Sequence, residues 1–132
     1  MTGKSKKSKK QNIDEGTVTL LKGCGKVLDD KKALDIVVLD LRNVNSYLDF
    51  FVICTGNSIM HCKALARELT KYFLDSGMKE RSKTTANSPW IILDYNEIII
   101  HIFTAEARAF YQLEHLWADA SKIDLDENIH DV

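Results

Sequence analysis

The segment that most restricts the fold runs from Phe50 to Phe73. Phe50-Phe51-Val52-Ile53-Cys54-Thr55 is short, aromatic or β-branched, and apolar at nearly every position. That is the pattern of a strand covered on both faces. Gly56-Asn57-Ser58 stops it, and Ser58 is placed to N-cap a helix whose apolar stripe reads Ile59, Cys62, Leu65, Ala66, Leu69, Tyr72 and Phe73. A buried strand followed at once by an amphipathic helix requires further strands beside it and a helical layer above it. The rest of the chain supplies both.

Residues 35–41 repeat the strand composition upstream, and the seven-residue gap before Asp49 contains Asn43, Asn45 and Ser46, which suits a hairpin better than a crossover. Downstream, residues 89–94 and 97–103 are two strands joined by Tyr95-Asn96, a connection of hairpin length. Residues 17–31 place Val18, Leu21, Cys24, Gly25 and Leu28 at helical spacing, weakened by Gly23 and Gly25. Gly77 ends the second helix, and residues 79–88 read equally as an edge strand or a loop. Thr104 caps a last helix with Glu106 in its first turn and Phe110, Leu113, Trp117 and Ala120 as its core stripe. The expected fold class is α/β: a single mixed β-sheet of four or five strands packed with helices.

A chain of 132 residues suits one domain. We place that domain at residues 16–120, between a disordered Lys-rich arm (1–15) and an acidic C-terminal tail (121–132). Lys4, Lys6, Lys7, Lys9 and Lys10 crowd the arm, and Asp119, Asp124, Asp126, Glu127 and Asp131 crowd the other end. The formal net charge of −1 therefore conceals a polarised chain. A Lys arm of this kind either solubilises or contacts RNA phosphate. No apolar stretch is long enough for a membrane span and no signal-peptide core follows the lysines, so the sequence reads as cytoplasmic, with no membrane partner.

Enzyme signatures are missing. The chain has no phosphate-binding Gly-Lys loop, no dinucleotide fingerprint, no nucleophile elbow and no zinc-protease helix motif. Gly56, Asn57 and Ser58, between a strand and a helix N-terminus, could hold a phosphate, as in a nucleotide-binding nucleotidyltransferase-like enzyme. No Asp-x-Asp pair follows on the next strand to hold magnesium, so turn plus N-cap is the favoured reading. His101 lies mid-strand on the face of Ile99 and Phe103 and reads as a hydrogen-bonded structural group. His61, His115 and His130 lack ligand spacing, and Cys24, Cys54 and Cys62 read as packed thiols. We expect no catalytic residue, no metal and no cofactor. Trp90, Tyr95, Phe103, Arg108, Phe110, Tyr111, Glu114 and Trp117 instead give the end of the domain the composition of a protein interface.

The blocks at 35–41, 49–58, 90–95 and 101–103, closed by Arg108-Ala109-Phe110-Tyr111-Gln112-Leu113-Glu114-His115-Leu116-Trp117, resemble the ribosomal silencing factor (Iojap) family. The likeness covers residues 17–120 in family order and spacing. It implies a nucleotidyltransferase-like fold without catalytic residues. It also implies a translation repressor that binds the large ribosomal subunit, through that subunit's ribosomal protein fourteen, and blocks joining of the small subunit. Carried onto this chain, the docking surface would be Trp90, Asp94, Tyr95, His101 and Phe103, with Arg108, Tyr111, Glu114 and Trp117 serving the fold or the surface. A sheet face that docks a partner can also pair with a second copy, so a homodimer is an alternative use of it. The chain departs from the family at Lys83-Thr84, where Glu-Gly is common.

Overall fold

The computed structural model describes residues 13–83 and 87–125. In chain order these form α1 (Glu15–Asp30), β1 (Leu34–Asp40), β2 (Phe50–Gly56), α2 (Ile59–Asp75), β3 (Ser82–Lys83), β4 (Trp90–Asp94), β5 (Ile98–Thr104), α3 (Ala105–Tyr111), α4 (Leu113–Leu116) and β6 (Ser121–Ile123). The strands make one mixed sheet in the order β3-β4-β5-β2-β1-β6. Only β2 and β5 pair in parallel, with α2 in the crossover between them, while every other neighbour is antiparallel.

The sheet has six strands, not four or five. One addition is β3, a two-residue edge strand on β4 within the stretch read as edge strand or loop. The other is β6, inside the stretch expected to be a tail. Ser121, Lys122 and Ile123 pair with Asp40, Leu39 and Val38, and Ile123 and Leu125 pack on the core. Three residues carry no readable periodicity; the backbone groups on the outer edge of β1 and two apolar anchors hold them. The five arm lysines and residues 126–132 lie outside the described residues, as does Thr84.

Each of the three longest helices starts where a side chain can take up a free N–H. Asp14 accepts from Thr17 N at 3.2 Å, Ser58 from His61 N at 3.0 Å, and Thr104 from Ala107 N at 3.2 Å. α1 and α2 run antiparallel on one face of the sheet: Tyr72 at the end of α2 donates to the Thr19 and Leu20 carbonyls, while His61 at its start meets Lys31 O. Two of the three glycines of α1, Gly23 and Gly25, mark close approaches. A methyl on Gly23 would collide with the Tyr72 ring and hydroxyl, and one on Gly25 with Leu125 Cδ1. Between these helices and the sheet lies the larger core, built on Leu21, Leu28, Val52, Leu65, Leu69, Phe73, Ile91, Leu93, Ile98, Ile100 and Ile102.

The opposite face carries a smaller core of Leu39, Leu41, Phe51, Ile53, Phe103, Ala107 and Leu113 beneath α3 and α4. Here the expected single helix is broken. Gln112 takes the left-handed conformation (φ 46°, ψ 51°), so the helical phase is lost between Tyr111 and Leu113. Leu113 reaches the core, but Phe110, expected on the core stripe, stands 78% exposed. α3 and α4 are too short to roof the whole face, and its β4 side stays open.

Candidate functional site

Register decides which side chains share the open area. Trp90, Ile92 and Asp94 on β4 stand opposite Phe103, His101 and Ile99 on β5, and β5 continues the row to Thr55, Ile53 and Phe51 on β2. All of these point to the second face, because directly paired residues share a side. Phe103 and His101 are buried; Trp90, Ile92, Asp94 and Ile99 are half-buried.

Trp90 organises the aromatic part. Its ring stacks on Phe103 at 4.9 Å between centroids and meets Tyr111 at 4.7 Å, and Phe110 stands against Tyr111 edge-on at 5.0 Å. Its indole Nε1 donates to His101 Nδ1 at 3.1 Å. An indole only donates, so Nδ1 must be the accepting nitrogen and the proton sits on Nε2. Burial, with the rings of Phe51 and Phe103 alongside, lowers the imidazole pKa to about 4, so His101 is neutral at physiological pH. The expectation of a hydrogen-bonded structural histidine holds for Nδ1, while the buried Nε2 has no hydrogen-bond partner among the described residues.

Tyr95 is not on this surface. It is 3% exposed, belongs to the helix-covered core and stacks on Phe73 at 4.3 Å. Strand alternation carries the signal that separates it from Trp90, since Tyr95 falls in phase with Ile91 and Leu93. The same alternation brings in Ile92 and Ile99, which sequence reasoning left out. Asp94 stays on the rim, where its carboxylate accepts from Asn96 N at 2.7 Å and fixes the turn into β5.

Arg108, Glu114 and Trp117 build the support. Arg108 Nη1 donates to Asp35 O at 2.7 Å and to Thr55 Oγ1 at 2.9 Å, and its Nε to Glu114 at 3.0 Å. Asp35 sits at an irregularity in the β1–β2 register with φ 49°, so the arginine takes the carbonyl that the strand pairing leaves over. Trp117 meets Phe51 edge-on at 6.0 Å.

The turn at Gly56, Asn57 and Ser58 is engaged from within the chain. Asn57 N donates to His61 Nδ1 at 3.0 Å, and Ser58 Oγ caps His61 N. Gly56 is needed because a Cβ there would lie 2.7 Å from Cys62 Sγ. Cys54 is buried, which pushes its thiol up to about 12, and burial raises Cys24 and Cys62 as well, so none is a ready thiolate at neutral pH. Among the described residues no group of three His, Cys, Asp or Glu could hold a metal ion, and no helix is long and apolar enough to cross a membrane.

The family model described as "Ribosomal silencing factor during starvation" matches residues 14–132. The chain belongs to the ribosomal silencing factor family. Relatives named Ribosomal silencing factor include one from Bacillus subtilis, 34% identical over 109 residues that span 82% of this chain and 92% of the relative. Another, from Halalkalibacterium halodurans, is 36% identical over 100 residues, 75% of this chain and 86% of the relative. A protein named Iojap, chloroplastic, from Zea mays is 34% identical over 104 residues, 76% of this chain but 44% of that longer protein. Among solved structures, a crystal structure of a protein from Bacillus halodurans matches with a TM-score of 0.71 at 32% identity, covering 80% of this chain and 97% of that one. The family name is that of a ribosome-associated regulator.

Proposed function

We propose that this protein represses translation by docking on the large ribosomal subunit, through its ribosomal protein fourteen, and sterically preventing the small subunit from joining, without catalysis. The observation that carries the reading is the open half of the second sheet face. Trp90 lies there half-exposed over a rigid stack, beside Ile92, Ile99 and a rim of Asp94 and Tyr111. A large aromatic held in place by its neighbours, flanked by apolar and polar groups, is the composition of a protein-binding hot spot. Phe103 and His101 lie beneath it and set its orientation, and Tyr95 supports β4 from the other side. The site of action is the compartment of the ribosome served, which we take to be the cytoplasm.

Co-sedimentation with separated subunits, and then with both under conditions that join them, tests the proposal. The protein should travel with the large subunit alone and reduce the joined particles. Trp90→Ala should weaken that binding by about 30-fold, the equivalent of a 2 kcal/mol hot spot. Asp94→Ser, which keeps an acceptor for Asn96 N, checks the rim without disturbing the turn. Normal binding by a folded Trp90→Ala variant would show that the docking surface lies elsewhere.

A further inference from the structure

The helix-covered side of the molecule carries a second surface of different chemistry. On α2, Lys63, Arg67 and Lys71 follow one another at four-residue intervals on the flank away from the core residues Cys62, Leu65, Leu69 and Phe73. Successive charges rise about 6 Å along the axis. Arg67 and Lys71 are exposed, and Lys63 donates to Asn87 at 3.1 Å on the rim. Like charges at this spacing repel and weaken a helix, and among the described side-chain hydrogen bonds and ion pairs only Lys63–Asn87 engages the line. Asp75 continues the same four-residue row beyond Lys71 and Glu68 lies beside it, but the described ion pairs include none between either carboxylate and these three cations. Residues 59–83 together hold six Lys or Arg against three Asp or Glu.

The N-terminal half of α1 lies against the end of α2, where Tyr72 meets the Thr19 and Leu20 carbonyls. The arm lysines join the chain at that end. Lys10 is four residues before Asp14, within about 14 Å by covalent reach alone. The exposed apolar residues of α2, Ile59 and Met60 at its start and Leu74 at its end, are separated by a stretch whose only exposed residues are Arg67 and Lys71. An acidic amphipathic helix would need a continuous apolar seam beside the charges; a polyphosphate backbone would not. The ridge also has no exposed aromatic on which a base could stack, which points to backbone contact without sequence reading.

We propose that Lys63, Arg67 and Lys71 form a ridge that binds the phosphate backbone of RNA, on the opposite side of the sheet from the aromatic docking face. The inference rests on the proposed function only in naming ribosomal RNA as the source of that backbone.

The test uses the full chain with its five arm lysines changed to Gln, so that the ridge is read alone, and a short single-stranded RNA of mixed sequence as probe. Affinity is followed by fluorescence anisotropy through a salt series. With Lys63→Gln, Arg67→Gln and Lys71→Gln added, binding should weaken and the slope of log affinity against log salt should fall by about 2, since each phosphate contact contributes about 0.7. Thermal melting of the added-substitution chain should be no lower than its parent's, because like-charge repulsion has been removed. An unchanged slope and affinity, or no RNA binding by the arm-neutralised parent, would overturn the proposal. So would binding of polyglutamate in preference to RNA, which would assign the ridge to an acidic protein. Trp90→Ala should leave this readout untouched while impairing subunit docking, so failure of the ridge and failure of the docking face give different results.

Discussion

Arg108 joins three parts of the chain through one guanidinium: the Asp35 carbonyl in β1, Thr55 at the end of β2 and Glu114 in α4. Its side chain is only 14% exposed, and its bonds to Thr55 and Glu114 are partly sheltered from water. Arg108→Ala should lower stability by about 2 kcal/mol, read as a fall in the urea midpoint, because charged hydrogen bonds of this kind are worth more than neutral ones and three are lost together. Lys26→Ala, which removes an exposed pair with Asp30 at 3.3 Å, should change the midpoint by less than about 0.5 kcal/mol. His101 governs a different property. Burial lowers its pKa from 6.5 to about 4, so the folded chain stays unprotonated where the unfolded chain takes up a proton. The contribution of His101 is therefore complete above about pH 6.5, declines as pH falls and levels off below about pH 4, a total of about 3 kcal/mol. Compared between pH 7 and pH 5, the wild type should lose about 2 kcal/mol more than His101→Gln, whose amide can still accept from Trp90 but does not titrate.

At the scale of elements, the sequence was most readable where one force dominated. β1, β2, β4, β5 and the two long helices follow from apolar periodicity and side-chain caps, and Gly77 ends α2 with φ 80° as a left-handed stop. What was not legible depended on groups with no periodic signature. The break between α3 and α4 rests on a glutamine in a conformation usually left to glycine. Gln112→Gly should thus raise stability by about 1 kcal/mol in a thermal melt, the left-handed cost relieved less the extra chain entropy. β6 rests on main-chain pairing, and Tyr95 was assigned to the docking surface by resemblance although its strand phase points inward. Gly25 illustrates how an apparently weak residue fits the tertiary structure. Gly25→Ala gains helix propensity but makes the end of the Leu125 side chain shift, so it should leave the wild type within about 0.5 kcal/mol of its parent stability, yet stabilise a Leu125→Ala background by about 0.5–1 kcal/mol. Equal effects in both backgrounds would mean that Leu125 does not rest on α1.

For the molecule as a whole, the sheet acts as a partition. Aromatic side chains and the acidic α3–α4 segment, with three Asp or Glu against one Arg in residues 105–120, occupy one side, and the cationic ridge of α2 occupies the other. The central strands between them are buried and tightly paired, β2 being covered along its whole length. No described side chain in the Trp90 stack bonds to one in the ridge, so a change at either surface should not reshape the other. If both surfaces engage the large subunit, the binding free energies lost by Trp90→Ala and by the triple Gln substitution should add to within about 0.5 kcal/mol, as for distant sites that share no partner. Their salt dependences should also separate: the Trp90 loss should be nearly constant with salt, and the ridge loss should shrink as salt rises and the cations release fewer counterions. A double variant no weaker than Trp90→Ala alone would mean that the ridge contributes nothing to the bound state. Additive losses with divergent salt slopes would establish one domain held by two chemistries, an aromatic anchor on protein and a cation row on phosphate.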